Sequence, residues 1–199
     1  MFKHIHYQRI TSLINRLFWK YLFSKHFKGY GKKSHIFMPD YIVGDEFITI
    51  KSDVYIGYKS SIIALNQNNN SPNLTIGHGT KIRRFSHIVC ISEIIIEDKV
   101  LIADKVFIAD NIHGYQKPDV PIVDQPLEFV SNVRIGTGTC IGENVCIIGA
   151  KIGRNCTIGA NSVVTKNIPD YSIAVGAPAK VIKTFDFDKS EWINVKRIK

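Results

Sequence analysis

The sequence predicts a mainly β protein, a parallel β-helix wound from six-residue units. Three observations predict it: β-branched side chains dominate, apolar residues recur at a spacing of six, and small or turn-permissive residues often follow them. Of 199 residues, 32 are Ile and 15 Val, against only 7 Leu and 8 Ala. Such side chains are stiff in helices and pack well on pleated surfaces. The length suits one domain with trimmings, not two full domains.

The ladder comes in three blocks. The first runs Ile50, Ile56, Ile62, with Val54 two residues before Ile56. The second runs Ile76, Ile82, Ile88 and, after a two-residue slip, Ile96, Ile102, Ile108, with Ile94, Val100 and Val106 each two residues earlier. The third runs Ile135, Ile141, Ile147, then steps by five to Ile152, Ile158 and Val164. Residues at i−2 and i face the same side of a short strand, and Gly57, Gly77, Ala103, Gly136, Gly142, Gly153 and Gly159 then turn the chain or let a neighbour approach. A six-residue unit has no room for a helix, so three units close one triangular coil and stacked coils bury the ladder. At about 1.5–3 kcal/mol for each buried Ile, the column can hold the chain together. A β-sandwich would need turn signals every 8–12 residues or so, and the spacing here is shorter and more regular.

In chain order, residues 1–33 form a basic N-terminal segment, 34–184 the β-helix domain, and 185–199 a tail expected to be a short helix or a strap. The net charge is +9, yet residues 1–33 hold eight basic and no acidic side chains and residues 34–179 hold 12 basic against 14 acidic. A near-neutral body argues against nucleic acid as partner. Residues 8–23 form an amphipathic helix, with Ile10, Leu13, Leu17 and Tyr21 on one stripe. That helix packs on the β-helix or a neighbouring subunit, or lies on an anionic membrane surface. Residues 66–73 are a polar excursion, and 114–132, with three of the seven prolines, a longer loop of the kind that carries function.

Cys90, Cys140, Cys146 and Cys156 form no CxxC pair, and no stretch approaches about 18 uncharged apolar residues. The expected setting is the reducing cytoplasm, including the inner face of the membrane.

Two stretches, IADNIHGY at 108–115 and IGANSVVTKNIPDYSIAVGAPAKVIK at 158–183, carry a resemblance to the hexapeptide-repeat acyltransferase superfamily. Within it the chain is most similar to sugar O-acetyltransferases acting on capsule, O-antigen or other cell-surface glycans. The resemblance covers about residues 34–184. It implies a left-handed β-helix, a homotrimer, acetyl-CoA as donor and a sugar hydroxyl as acceptor. A nucleotide-amino-sugar N-acetyltransferase on the same fold is the alternative.

Acetyl transfer to a hydroxyl needs a base to take its proton, and imidazole, with an ordinary pKa of about 6.5, is suited to this. His113 lies where the ladder gives way to the long loop, and the resemblance places the catalytic histidine at this junction. Relatives there read Asp-His-x-His, whereas this chain reads Asp110-Asn111-Ile112-His113 and lacks the first histidine. Asp110, Asn111 or a backbone carbonyl is expected to orient the imidazole. His4, His6, His26 and His35 belong to the leader region, and His78 and His87 flank the ladder. A zinc site of gamma carbonic anhydrase type needs three histidines, and none follows His113, so no metal is expected; His78, His87 and His113 are the remaining triad. The resemblance assigns donor contacts to Glu143, Ala160, Thr165, Lys166, Lys180 and Lys183, the last two meeting phosphates. Relatives often carry arginine at those two positions. Arg83, Arg84, Ser86, His87, Glu93, Tyr115 and Asp119 are candidates for the acceptor.

Overall fold

A computed structural model describes residues 13–14, 17–67 and 70–195. The start of the expected 8–23 helix, His4 and His6 lie outside the described residues. The strands form three faces of a prism. The first stacks Gly29–Tyr30, Ile48–Ile50, Asn73–Ile76, Glu93–Ile96, Val133–Ile135 and Lys151–Ile152. The second stacks His35–Ile36, Tyr55–Ile56, Lys81–Ile82, Leu101–Ile102, Cys140–Ile141, Thr157–Ile158 and Ser172–Val175. The third stacks Tyr41–Val43, Ser61–Ala64, His87–Cys90, Phe107–Ala109, Cys146–Ile148 and Val163–Val164. Pairing within the prism is parallel throughout, and the coil is a left-handed β-helix.

The ladder sits in register inside this prism. Ile62, Ile88, Ile108, Ile147 and Val164 stack on the third face, and all are buried. The same holds for Ile50, Ile76, Ile96, Ile135 and Ile152 on the first. Steps from first to second and from second to third face are six residues in every complete coil. Every departure from six, including the slip after Ile88 and the short step after Ile147, falls on the edge between third and first faces. Both insertions leave the prism there too. All the irregularity of the sequence is thereby gathered along one edge.

Two further devices tie the coils. Thr80 Oγ1 donates to the Glu97 carbonyl (2.7 Å) and accepts from the Val100 N–H (3.1 Å). Thr139 does the same with Gly153 (2.7 Å) and Cys156 (3.0 Å), so buried hydroxyls satisfy backbone groups that a corner would strand. Glycine at the corners serves close approach: a Cβ on Gly77 would lie 2.3 Å from the Glu97 carbonyl carbon, and one on Gly142 2.6 Å from the Ala160 nitrogen. Most left-handed corner positions are instead taken by Lys59, Phe85, Lys105, Asn144, Asn161 and similar residues.

The ends differ from the middle. Residues 13–14 and 17–18 are helical, and Trp19–Phe23 form a π-helical turn beside the first coil. At the other end the expected tail is a strap: Lys180–Asp186 pairs antiparallel with Ser172–Val175 and with Glu191–Asn194, so one strand runs through the boundary read at 184.

Candidate active site

Residues 111–129 form an arm on the third-to-first edge, beginning three residues earlier than the loop read from the sequence. Asn111–His113 pairs antiparallel with Leu127–Phe129, placing His113 opposite Leu127. Gln125 organises the tip, accepting from the Lys117 N–H (3.2 Å) and donating to the carbonyls of Lys117 (3.0 Å) and Val120 (2.8 Å). The base is wedged against the next coil, where a Cβ on Gly149 would lie 2.5 Å from Val130 Cγ1. Gln67, in the polar excursion, donates to the Leu127 carbonyl (3.0 Å), so the two insertions are joined.

Asp110 holds the root of this arm. Its carboxylate is fully buried and accepts from the backbone N–H groups of Ile91 (3.0 Å), Ser92 (2.8 Å) and Glu93 (2.9 Å), which turn the preceding coil's corner. It also accepts from the Asn111 amide (2.7 Å), which donates in addition to the Val89 carbonyl (3.0 Å). The Cys90 thiol points at the same carboxylate (3.6 Å); burial first, then that negative charge, pushes its pKa up. Neither Asp110 nor Asn111 is bonded to His113, and both are engaged in fixing the strand that bears it. His113 itself is exposed and makes no hydrogen bond among the described residues.

The other predicted residues fall into three groups. Glu143 and Ala160 are stacked on the second-to-third edge, three residues before the paired Cys146 and Val163, so the five-residue step after Ile147 does not disturb their register. Glu143 pairs with Lys105 (3.5 Å), and its carbonyl accepts from Asn161 (2.9 Å). Lys180 lies opposite Val175 near that same edge and Lys183 opposite Ile173, whereas Thr165 and Lys166 follow Val164 on the third-to-first edge. Of the acceptor candidates, Ser86 is buried, its hydroxyl 3.4 Å from two carbonyls, and Arg84 is held by Asp104 (2.6 Å), so both are engaged within the coil. His87 is exposed on the third face with its ring against Phe107 (5.8 Å between centroids). Glu93 accepts from the Asn132 amide (3.2 Å) at the arm's root, and Tyr115 is exposed on the arm. His78 lies on the first-to-second edge near Asp53 (3.7 Å), away from His87, and among the described residues no three His, Cys, Asp or Glu side chains converge as metal ligands.

Sequence reading missed the backbone N–H groups that bind Asp110, and Gln67, Gln125 and Phe129 around the arm. A lone glutamine in a proline-rich stretch gives no signal. Between arm and excursion lies a pocket of about 290 Å³ lined by Gln67, Asn70, Ile91, Ser92, Leu127 and Phe129. A larger cleft of about 680 Å³ lies on the first-to-second edge, where Arg134 and Arg154 are already paired with Glu97 and Asp170.

Among the comparisons, the likeness to solved structures bears on this architecture. No family model matches the chain. A Mycobacterium tuberculosis protein named provisionally as an acetyltransferase is 55% identical over 65 residues, 32% of this chain and 21% of that protein. An Escherichia coli K12 protein named provisionally as a lipopolysaccharide biosynthesis O-acetyl transferase is 40% identical over 76 residues, 38% of each chain. The chain thus matches well under half the length of these relatives. Among solved structures, a variant of the Bacillus cereus N-acyltransferase AntD, in complex with dTDP and coenzyme A, has a TM-score of 0.69 at 21% identity, covering 85% of this chain and 90% of that one. A galactoside acetyltransferase in complex with coenzyme A has a TM-score of 0.58 at 25% identity, covering 75% of this chain and 68% of that one.

Proposed function

We propose that the protein is an acetyl-CoA-dependent acyltransferase of the hexapeptide-repeat class that acetylates a sugar hydroxyl, with His113 as general base. The observation that carries this reading is an exposed imidazole, without a hydrogen bond among the described residues, on an arm whose root is fixed by Asp110. His113 takes the proton of the acceptor hydroxyl as its oxygen attacks the thioester carbonyl carbon. The carbon–sulfur bond then breaks, and the imidazolium returns the proton to the departing thiolate. Asp110 and Asn111 are positioning residues in this scheme.

The residues present fit the donor. Ala160 adds no bulk at an exposed corner, and Lys180 and Lys183 make no ion pair among the described residues, leaving their charge for phosphates. Glu143, Ala160 and Lys180 lie near one edge of the third face, and the arm with His113 leaves the other. A homotrimer in which the donor edge of one copy meets the arm of the next completes the site. The pocket between arm and excursion, with Glu93 at the arm's root and Tyr115 further out on the arm, is where the acceptor sugar is assigned, and His87, on the third face, is a further candidate contact. Names of relatives support acetyl transfer, and one supports a role in cell-surface glycan synthesis. Four free cysteines suit a reducing cytoplasm.

The test offers hydroxyl and amino sugars with acetyl-CoA, follows released thiol, and locates the acetyl group by NMR. Acetylation of a hydroxyl is expected; a strict preference for the amine would make the protein an N-acetyltransferase.

A further inference from the structure

The segment at the first-coil end carries chemistry that acyl transfer does not use. Ile14, Leu17, Phe18, Tyr21, Leu22 and Phe23 are all exposed, from 37% for Phe23 to 65% for Tyr21. Trp19 is the one described residue of the helical segment that packs on the core, while the Phe18 and Phe23 rings lie tilted against each other (5.1 Å) with Phe23 also against Trp19 (4.9 Å). The segment is nevertheless seated, because Leu17 and Tyr21 share a groove with Tyr30, Gly31, Lys32 and Ser34 of the first coil. Directly after the apolar patch come Lys25, Lys28, Lys32 and Lys33, all exposed, and the first acidic residue of the chain is Asp40.

We infer that this segment docks the protein on an anionic phospholipid bilayer. A contiguous exposed apolar patch marks an interaction surface. The flanking lysines decide its partner: a second copy would set one segment of eight basic and no acidic residues against another, whereas phospholipid headgroups supply the opposite sign. Aromatic and aliphatic side chains enter the headgroup boundary while lysines meet the phosphates above them. No described helix is long and apolar enough to cross a membrane, so the contact is peripheral. The arm leaves the fourth coil, three strand spacings from the first, or roughly 14 Å along the prism axis. The His113 edge therefore stands within reach of an acceptor held at the headgroup surface. The bilayer contact goes beyond the acyl-transfer reading and does not depend on it.

The experiment is co-sedimentation of the full chain with phosphatidylcholine vesicles, with and without phosphatidylglycerol, with no substrate present. Pelleting that requires phosphatidylglycerol is expected, weakened about fivefold by each of Lys25→Gln and Lys32→Gln, the equivalent of about 1 kcal/mol apiece. Ile14→Ser combined with Leu22→Ser abolishes it; both side chains are exposed and neither packs on the core, so the thermal melting curve is unchanged. The inference is overturned if the wild type stays in solution with anionic vesicles, binds neutral ones equally, or keeps its binding in the double variant. It is equally overturned if the double variant instead lowers the oligomeric mass in solution, which would make a second copy the occupant.

Discussion

Replacing Asp110 with alanine tests how the arm is held. The substitution removes the acceptor for three backbone N–H groups and the Asn111 amide at a fully buried position. Each buried donor left without a partner costs about 1–3 kcal/mol. Ser92 and Glu93 are half-buried and recover some hydration, so the total is about 3–5 kcal/mol. That is a large share of the roughly 5–15 kcal/mol that stabilises an ordinary domain, yet the stacked ladder still folds. Asp110→Asn keeps one acceptor oxygen and should fall between. Urea denaturation reads the loss, and chymotrypsin cleavage after the exposed Tyr115 and Phe129 reads the arm directly, accelerating in both variants. A loss below about 1 kcal/mol with unchanged cleavage would refute the role given to this carboxylate.

Other outcomes follow from the same structure. Gly77→Ala forces a Cβ against the Glu97 backbone and should destabilise by about 1–3 kcal/mol, lowering the melting temperature by several degrees. Burial alone would raise the Glu97 pKa, but hydrogen bonds from Thr137 and Arg134 outweigh it and hold the carboxyl below its ordinary value. Its stabilising contribution is therefore complete above the ordinary glutamate pKa and is lost as pH falls through the depressed folded value. Glu97→Gln should flatten that acidic limb of the stability–pH curve while leaving the His113 region untouched.

The prism was legible because the ladder repeats one demand many times. An Ile out of phase would turn from the core to solvent, so Ile50 through Val164 had to keep step. The edge that collects the irregular steps was visible as slips in phase, but only the strand register shows that they share one corner. His113 is proposed from its place at a break in the ladder, which the structure shows as the start of the arm. The role of Asp110 could not be read, since its partners are backbone N–H groups that any residue supplies. The antiparallel pairing of Asn111–His113 with Leu127–Phe129 was hidden similarly, because it depends on a loop closed by Gln125. Ser86 and Arg84 looked like acceptor contacts because polar side chains flank the ladder. In the fold, one hydroxyl lies against corner carbonyls and the other side chain is paired with Asp104.

The most direct measurement compares acetyl transfer from acetyl-CoA by the wild type and His113→Ala, under conditions where both bind the coenzyme equally. An exposed side chain without a hydrogen bond among the described residues can be removed without unfolding the chain, and loss of a general base lowers turnover by about 10²–10⁴-fold. Undiminished transfer by the variant would contradict the assignment and move the chemistry away from the arm.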